Sequence, residues 1–219
     1  MKKDLRDKKG FIFDFDFTLA DSSQGVVGCV NYALKKLKFT EFPEKEINKT
    51  IGLILEHTFM KLVGKQPLEK IKKFKYFFIK KADDIMTDLT KLFTGTPSVI
   101  KSLYNKGFKL GIVSTKFRYR IESILSRDNL LDYFDVIIGG EDVSTLKPNP
   151  FGLLLAVEKL NLTISEVIYI GDSIIDAETA NRANISFVAV LSGVTPRKVF
   201  NRYQVREFLN NISEIPELL

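Results

Sequence analysis

The chain has 219 residues, 45% of them apolar and 27% charged, with a formal net charge of +6 and one cysteine. That length fits one large domain, or one domain carrying a smaller insert. The lone cysteine excludes a disulfide within the chain, and no apolar run is long enough to span a bilayer.

Lysines dominate the charge and are spread along the chain rather than gathered in a stripe with aromatics, so neither nucleic acid nor membrane is expected as a partner. The N-terminal MKKDLRDKK is basic, but the apolar run behind it is broken at Asp14 and Asp16, unlike the core of a leader peptide. With a single cysteine, a reducing cytoplasm is the expected location.

Phe11-Ile12-Phe13 reads as a strand running straight into Asp14, with Asp16 two residues on and Thr18 two beyond. Strand side chains alternate, so the two carboxylates would share a face if the strand continued. A buried sheet does not favour like charges so close, and a cation or a phosphate chemistry that uses both would explain them. The sequence then turns helical, from Gln24 to Leu37, around Pro43, and through Leu55, Phe59, Leu62 and Val63 to Gly64. Pro67 opens a lysine-rich helix towards Leu89 whose lysines read as a solvated face. Phe59, Phe74, Phe77 and Phe78 read as the core of this block, Cys29 as a buried helix residue and His57 as solvent-facing or packed. Nothing from Ser22 to about Lys91 reads as a strand.

From Gly95 the character changes. Helices are expected over Pro97–Lys106, Arg118–Ser126, Phe151–Leu160 and Asp176–Ala183, the last with Asn184 as a left-handed cap. Strands are expected at Lys109–Val113, Val136–Ile138, Val167–Ile170 and, last, Phe187–Val190; the tail from Thr195, with Pro196 at its head, reads as helical and mixed. Short β-branched runs alternating with helices imply an α/β fold, a Rossmann-like parallel sheet covered on both faces. The core would comprise residues 1–20 and 94–219, with a helical cap, residues 21–93, inserted after the first strand.

Ligands of such sheets bind beyond the carboxyl ends of the strands. Asp14/Asp16/Thr18, Ser114/Thr115 and Gly171-Asp172-Ser173 all sit at such ends. Asp14 and Asp172 are suited to share a hard cation such as Mg²⁺. An aspartate can attack phosphorus and form an aspartyl-phosphate, while Asp16 would protonate the leaving oxygen and then activate water. Ser114 would donate to a phosphoryl oxygen, and Lys147 would neutralise the phosphoryl charge. Asp176 also suits the first turn of a helix, and Arg118 and Arg120 read as exposed helix arginines.

The ordered set DFDFT (Asp14 to Thr18), IVST (Ile112 to Thr115), KPNP (Lys147 to Pro150) and GDSIID (Gly171 to Asp176) resembles the four motifs of the haloacid dehalogenase (HAD) superfamily. With TLADS, IGLILEHTF and YFDVIIGGEDV it is similar to the phosphoglycolate phosphatase-like branch. The resemblance implies a Mg²⁺-dependent phosphomonoester phosphatase with Asp14 as nucleophile and Asp16 as general acid/base. It implies a metal held by Asp14, Asp172 and the backbone carbonyl of Asp16. It implies a phosphate group bound by Thr18, Ser114, Thr115 and Lys147, and support of the metal site by Ser173 and Asp176. It further implies adjacent Asp14 and Asp172 strands, a cap that closes over the substrate, and a small phosphorylated metabolite as partner of a monomer or homodimer. A phosphomutase of the β-phosphoglucomutase type, or a catalytically silent HAD-fold binding protein, is the alternative. The sequence departs from the family at Phe17, where Gly is usual, and at Thr115, where Asn is common.

Overall fold

The computed structural model describes Leu5 and residues 7–219. Residues 1–4 and 6, part of the basic N-terminal run and of the expected core domain, lie outside them. The chain divides into two compact units: one takes the chain up to Ala20 and then Leu92–Leu219, the other is Asp21–Lys91. Strand β1 is Gly10–Phe13. Short strands β2, Ala20–Asp21, and β3, Lys91–Leu92, pair as a ribbon where the chain crosses between units. The expected boundary after residue 93 therefore falls at 91/92. Leu92 belongs to the ribbon, and Phe93 N donates to Leu19 O at 3.0 Å.

The second unit is helical: α1 Ser23–Lys36, α2 Glu44–Asn48, α3 Leu55–Val63 and α4 Leu68–Leu89. Helix α4 buries Ile71, Phe74, Phe78, Ala82 and Met86, a stripe at helical spacing, while Lys70, Lys72, Lys73, Lys75 and Lys80 stay exposed. Phe59 of α3 stacks on Phe74 with ring centroids 4.5 Å apart. Helices α1 and α4 approach closely at Gly25, where a Cβ would stand 2.8 Å from Met86 Sδ. Cys29 is buried here and His57 is exposed.

In the first unit follow α5 Thr96–Asn105, β4 Lys109–Val113, α6 Arg118–Arg127, β5 Val136–Ile138, α7 Phe151–Lys159, β6 Val167–Gly171, α8 Ile174–Ala183, β7 Ser186–Val190 and β8 Val205–Leu209, with 3₁₀ turns at Leu131–Tyr133, Arg197–Arg202 and Ile212–Leu218. The six-stranded sheet has the order β5-β4-β1-β6-β7-β8, and every neighbouring pair is parallel. Alternation along the strands feeds two cores. Phe11, Phe13, Leu110, Ile112, Ile168 and Ile170 pack towards α5, α6 and the C-terminal 3₁₀ turn; Ile12, Val113, Val167, Tyr169 and Phe187 pack towards α7 and α8. The tail corrects one expectation: it holds a sixth sheet strand, β8, rather than mixed helix. Val205-Arg206-Glu207-Phe208-Leu209 has no continuous apolar run, because an edge strand is half-exposed and carries charge. Among the described residues no helix is long and apolar enough to cross a membrane.

Helix α8 ends on Asn184 at φ 56°, ψ 37°, the left-handed conformation that asparagine tolerates better than most residues. Asn184→Ala is expected to lower stability by about 1 kcal/mol and Asn184→Gly by clearly less. Urea denaturation reads both, and equal losses would refute the conformational account.

Candidate active site

Central position in the sheet makes the loop after β1 the convergence point. Asp14 N still bonds Ile170 O at 2.8 Å, but the strand ends at Phe13, so Asp16 does not lie on a continued strand. The chain instead winds tightly: Thr18, Leu19 and Ala20 all direct their N–H groups at Phe15 O, and Phe17 N donates to Ala20 O at 2.7 Å. This turn puts Phe17 at φ 58°, a conformation that costs a side-chain-bearing residue about 1–2 kcal/mol. The position therefore does call for a glycine-like backbone. Ser192 Oγ donates to the Phe17 carbonyl at 2.6 Å, tying the loop after β7 to this turn. The Phe17 side chain is buried, yet it belongs to none of the three apolar clusters.

Three carboxylates, Asp14, Asp172 and Asp176, bring oxygens within 4.8 Å of one another, and all are buried. They reach this point because β1 and β6 are neighbours. Thr18, fully buried, directs Oγ1 towards Asp172 Oδ1 at 3.5 Å. Glycine admits two of the carboxylates. A Cβ on Gly171 would lie 2.5 Å from Asp176 Cγ, and one on Gly193 would lie 1.8 Å from Asp172 Oδ2.

Asp176 is held differently from the other two. Its Oδ2 accepts from Ser173 N (3.1 Å) and Ser173 Oγ (2.5 Å), completing a capping box at the start of α8. Its Oδ1 accepts from Lys147 Nζ (2.6 Å) and Tyr169 Oη (2.8 Å). Both oxygens are thus engaged, and Asp176 serves as the acceptor that fixes Lys147. Lys147 also donates to Tyr169 Oη at 3.0 Å and lies 2.9 Å from Asp14 Oδ1, off the line of a hydrogen bond. Tyr169, whose hydroxyl also reaches Val113 O at 3.2 Å, reads in the sequence as a plain strand residue. The available signal was its type, since a phenol in a doubly covered strand needs a partner.

Burial, followed by the negative Asp176, raises Asp14 from its ordinary value to about 7 despite Lys147. The same two causes, in the same order, and then Asp14 hold Asp172 well above the carboxylate range. Burial opposes the Lys147 ammonium, but Asp14 and Asp176 outweigh it and raise its pKa. Among the described residues Asp14 Oδ1 and Asp16 Oδ1 have no donor aligned on them.

On the β4 side, Ser114 is buried, its N bonded to Ile138 O at 3.0 Å, and Thr115 beside it is half-buried. Lys116, which the sequence reading passed over, is buried with Nζ 2.9 Å from Asp16 Oδ1. Arg118 is exposed and paired with Glu122 and Asp142, whereas Arg120, expected at the surface, is buried against the Phe117 and Tyr119 rings. Its place in α6 turns it inward, where the guanidinium stacks on aromatic faces.

Four buried carboxylates, Asp14, Asp16, Asp172 and Asp176, face two buried ammoniums, Lys116 and Lys147. The formal imbalance of −2 and the hard oxygen donors fit a divalent cation, with Asp14 and Asp172 as the carboxylates still open to one.

A doubly covered parallel sheet with an acidic cluster at the carboxyl ends of its central strands defines an α/β protein with a ligand site at the usual end of such a sheet. The family model of haloacid dehalogenase-like hydrolases matches residues 11–190, and the chain belongs to that family. Phosphoglycolate phosphatase of Salmonella typhi is 29% identical over 210 residues, covering 86% of this chain and 83% of the relative; that of Escherichia coli (strain K12) is 28% identical over the same shares. A Bacteroides fragilis structure described as a haloacid dehalogenase-like hydrolase superposes with a TM-score of 0.92 at 40% identity, covering 95% of this chain and 99% of that one. A Lactobacillus plantarum structure described as a phosphoglycolate phosphatase gives 0.83 at 26% identity over 97% and 99%. Family and relatives together make the protein a hydrolase of the phosphatase class.

Because a methyl group at position 193 would occupy the space of Asp172 Oδ2, Gly193→Ala is expected to weaken divalent-cation binding by roughly tenfold or more. Titration calorimetry on protein that still unfolds cooperatively checks this; unchanged affinity would remove Asp172 from the cation site.

Proposed function

We propose that the protein is a Mg²⁺-dependent phosphomonoester phosphatase that works through an aspartyl-phosphate and acts in the cytoplasm on a small phosphorylated metabolite, as a monomer or homodimer. Phosphoglycolate is the first candidate substrate, by likeness to the curated relatives. The observation that carries this reading is the buried carboxylate cluster with one ammonium fixed inside it.

Asp14 and Asp172 would hold the cation, with the Asp16 carbonyl. Bound there, a divalent cation supplies charge neutralisation to phosphoryl oxygens and to the attacking carboxylate. Asp14 would attack phosphorus through a carboxylate oxygen, with Lys147 Nζ 2.9 Å from its Oδ1. Lys147 gives two of its three N–H groups to Tyr169 and Asp176, which leaves one for a phosphoryl oxygen or Asp14. It acts as an immobile positive charge where negative charge develops. The Ser114 hydroxyl and the Thr18 and Thr115 hydroxyls complete the phosphate contacts. Asp16 delivers a proton to the leaving oxygen and later removes one from water. Ser173 and Asp176 act through Lys147 and the start of α8 rather than on substrate.

Hydrolysis of p-nitrophenyl phosphate and a panel of small phosphate esters tests the reading. Turnover is expected with Mg²⁺, lost with EDTA, and reduced at least about 10⁴-fold in Asp14→Asn. Metal-independent turnover, or turnover surviving Asp14→Asn, would refute it.

A pH dependence follows from Asp14. Its carboxyl in the folded, cation-free protein titrates at about 7, above the ordinary 3.8. Between those values the native state binds the extra proton, so cation-free stability falls as pH rises through the window. A cation competes with that proton and gains affinity over the same range. The rise in melting temperature caused by about 10 mM Mg²⁺ is expected to be larger near pH 8 than near pH 5, and the reverse order would contradict the assignment.

A further inference from the structure

The loop behind β7, residues 191–194, bears on both limbs of the carboxylate cluster. Leu191 N donates to Leu209 O at 2.8 Å, which anchors the base of this loop on the sheet. Ser192 Oγ donates to Phe17 O at 2.6 Å, across 175 residues of sequence. Gly193 lies so close to the second limb that a Cβ there would stand 1.8 Å from Asp172 Oδ2. On the first limb Phe17 stands at φ 58°. Its two dihedrals are the rotations between the peptide planes on either side of it. The Asp16–Phe17 plane is fixed by Phe17 N, which donates to Ala20 O at 2.7 Å. In a trans peptide the Asp16 carbonyl then points the opposite way from that N–H. Within the turn itself the Phe17–Thr18 plane is held by a longer bond. Thr18 N reaches Phe15 O at 3.3 Å, an acceptor it shares with Leu19 N at 2.9 Å and Ala20 N at 3.1 Å. The Ser192 hydroxyl adds the short bond on that plane. The left-handed conformation costs a residue with a Cβ about as much as one hydrogen bond contributes, so a single bond decides whether this turn keeps its form.

We propose that Ser192 is a positioning residue for the cation site: its bond to Phe17 O holds the strained turn in the form that presents the Asp16 carbonyl to the cation, a restraint that Phe17 requires and a glycine there would not. The proposal rests on the cation part of the phosphatase reading above, in which Asp14, Asp172 and the Asp16 carbonyl are the ligands. Without the hydroxyl, Phe17 relaxes out of the left-handed region, the Asp16–Phe17 plane turns with it, and the carbonyl leaves the cation side. Thr18, next in the chain, directs Oγ1 towards Asp172 Oδ1 at 3.5 Å, and the same motion misaligns it. A glycine at position 17 has no strain to release and keeps the turn without help.

Titration calorimetry with Mg²⁺ on the whole protein tests this in wild type, Ser192→Ala and Ser192→Thr, and then for Ser192→Ala added to Phe17→Gly. Ser192→Ala is expected to weaken Mg²⁺ binding by roughly tenfold, and to raise the Mg²⁺ needed for half-maximal turnover of p-nitrophenyl phosphate by about the same factor. Ser192→Thr, which keeps the hydroxyl, is expected to stay within about threefold of wild type. Added to Phe17→Gly, the Ser192→Ala change is expected to cost less than about twofold. Should Phe17→Gly fail to fold, Phe17→Asn, which also tolerates left-handed backbone, takes its place. Unchanged affinity in Ser192→Ala, with or without a loss of stability in urea, overturns the proposal and leaves Ser192 a structural contact. An equal loss with and without the change at position 17 overturns it as well, because relief of strain would then play no part. Wild-type protein that binds no Mg²⁺ overturns the cation reading and this proposal with it, whereas binding without turnover of any ester overturns the phosphatase reading alone.

Discussion

Everything near the carboxyl ends of the central strands depends on keeping buried like charges together. Oxygens of Asp14, Asp172 and Asp176 crowd within 4.8 Å, and among the described residues Lys147 is the ammonium paired with two of them. Proteins seldom hold such a cluster without a compensating charge, since each buried carboxylate loses its hydration. Lys147 is in turn fixed by a strand residue, Tyr169, and by a helix-cap residue, Asp176. The sheet, the start of α8 and the loop carrying Lys147 are thus bound into one electrostatic unit.

Much of this was legible in the sequence because the acidic and hydroxyl residues stand where apolar strands stop. Phe11-Ile12-Phe13 before Asp14, and Val167 to Ile170 before Asp172, announce strands by composition and a site by the abrupt change of character. The helical second unit was equally plain from the spacing of Ile71, Phe74 and Phe78, which α4 buries. Less legible were residues whose role depends on a neighbour distant in sequence. Tyr169 reads as one more strand aromatic until Lys147 and Asp176 are beside it, and nothing in the sequence singles out Lys116 until Asp16 faces it. Strand β8 escaped because an edge strand has no need of a continuous apolar run. Asp176, open between a helix-dipole carboxylate and a site residue, proved to be a helix cap and the anchor of Lys147 together.

Phe17 illustrates how a local rule can be broken and repaired. The turn after β1 demands a left-handed residue, which glycine would provide without strain. Here an aromatic side chain is accepted, and the bonds from Phe17 N to Ala20 O and from Ser192 Oγ to Phe17 O hold its peptide groups in place.

The pairing of β1 has a consequence for how the chain reaches this state. Gly10 lies beside Lys109 on one side and Val167 on the other, so the central strand is made first and meets its neighbours only after long stretches of chain have been added. The whole helical unit, able to condense on local contacts, is synthesised in between. On the ribosome, Phe11, Ile12 and Phe13 therefore wait, unpaired and apolar, until the second half of the chain arrives. The step that closes the sheet around β1 is a non-local one, slow by its topology and exposed to aggregation while it lasts. The carboxylates at the tip of that strand are brought together only when it completes, which makes assembly of the site a late event of folding.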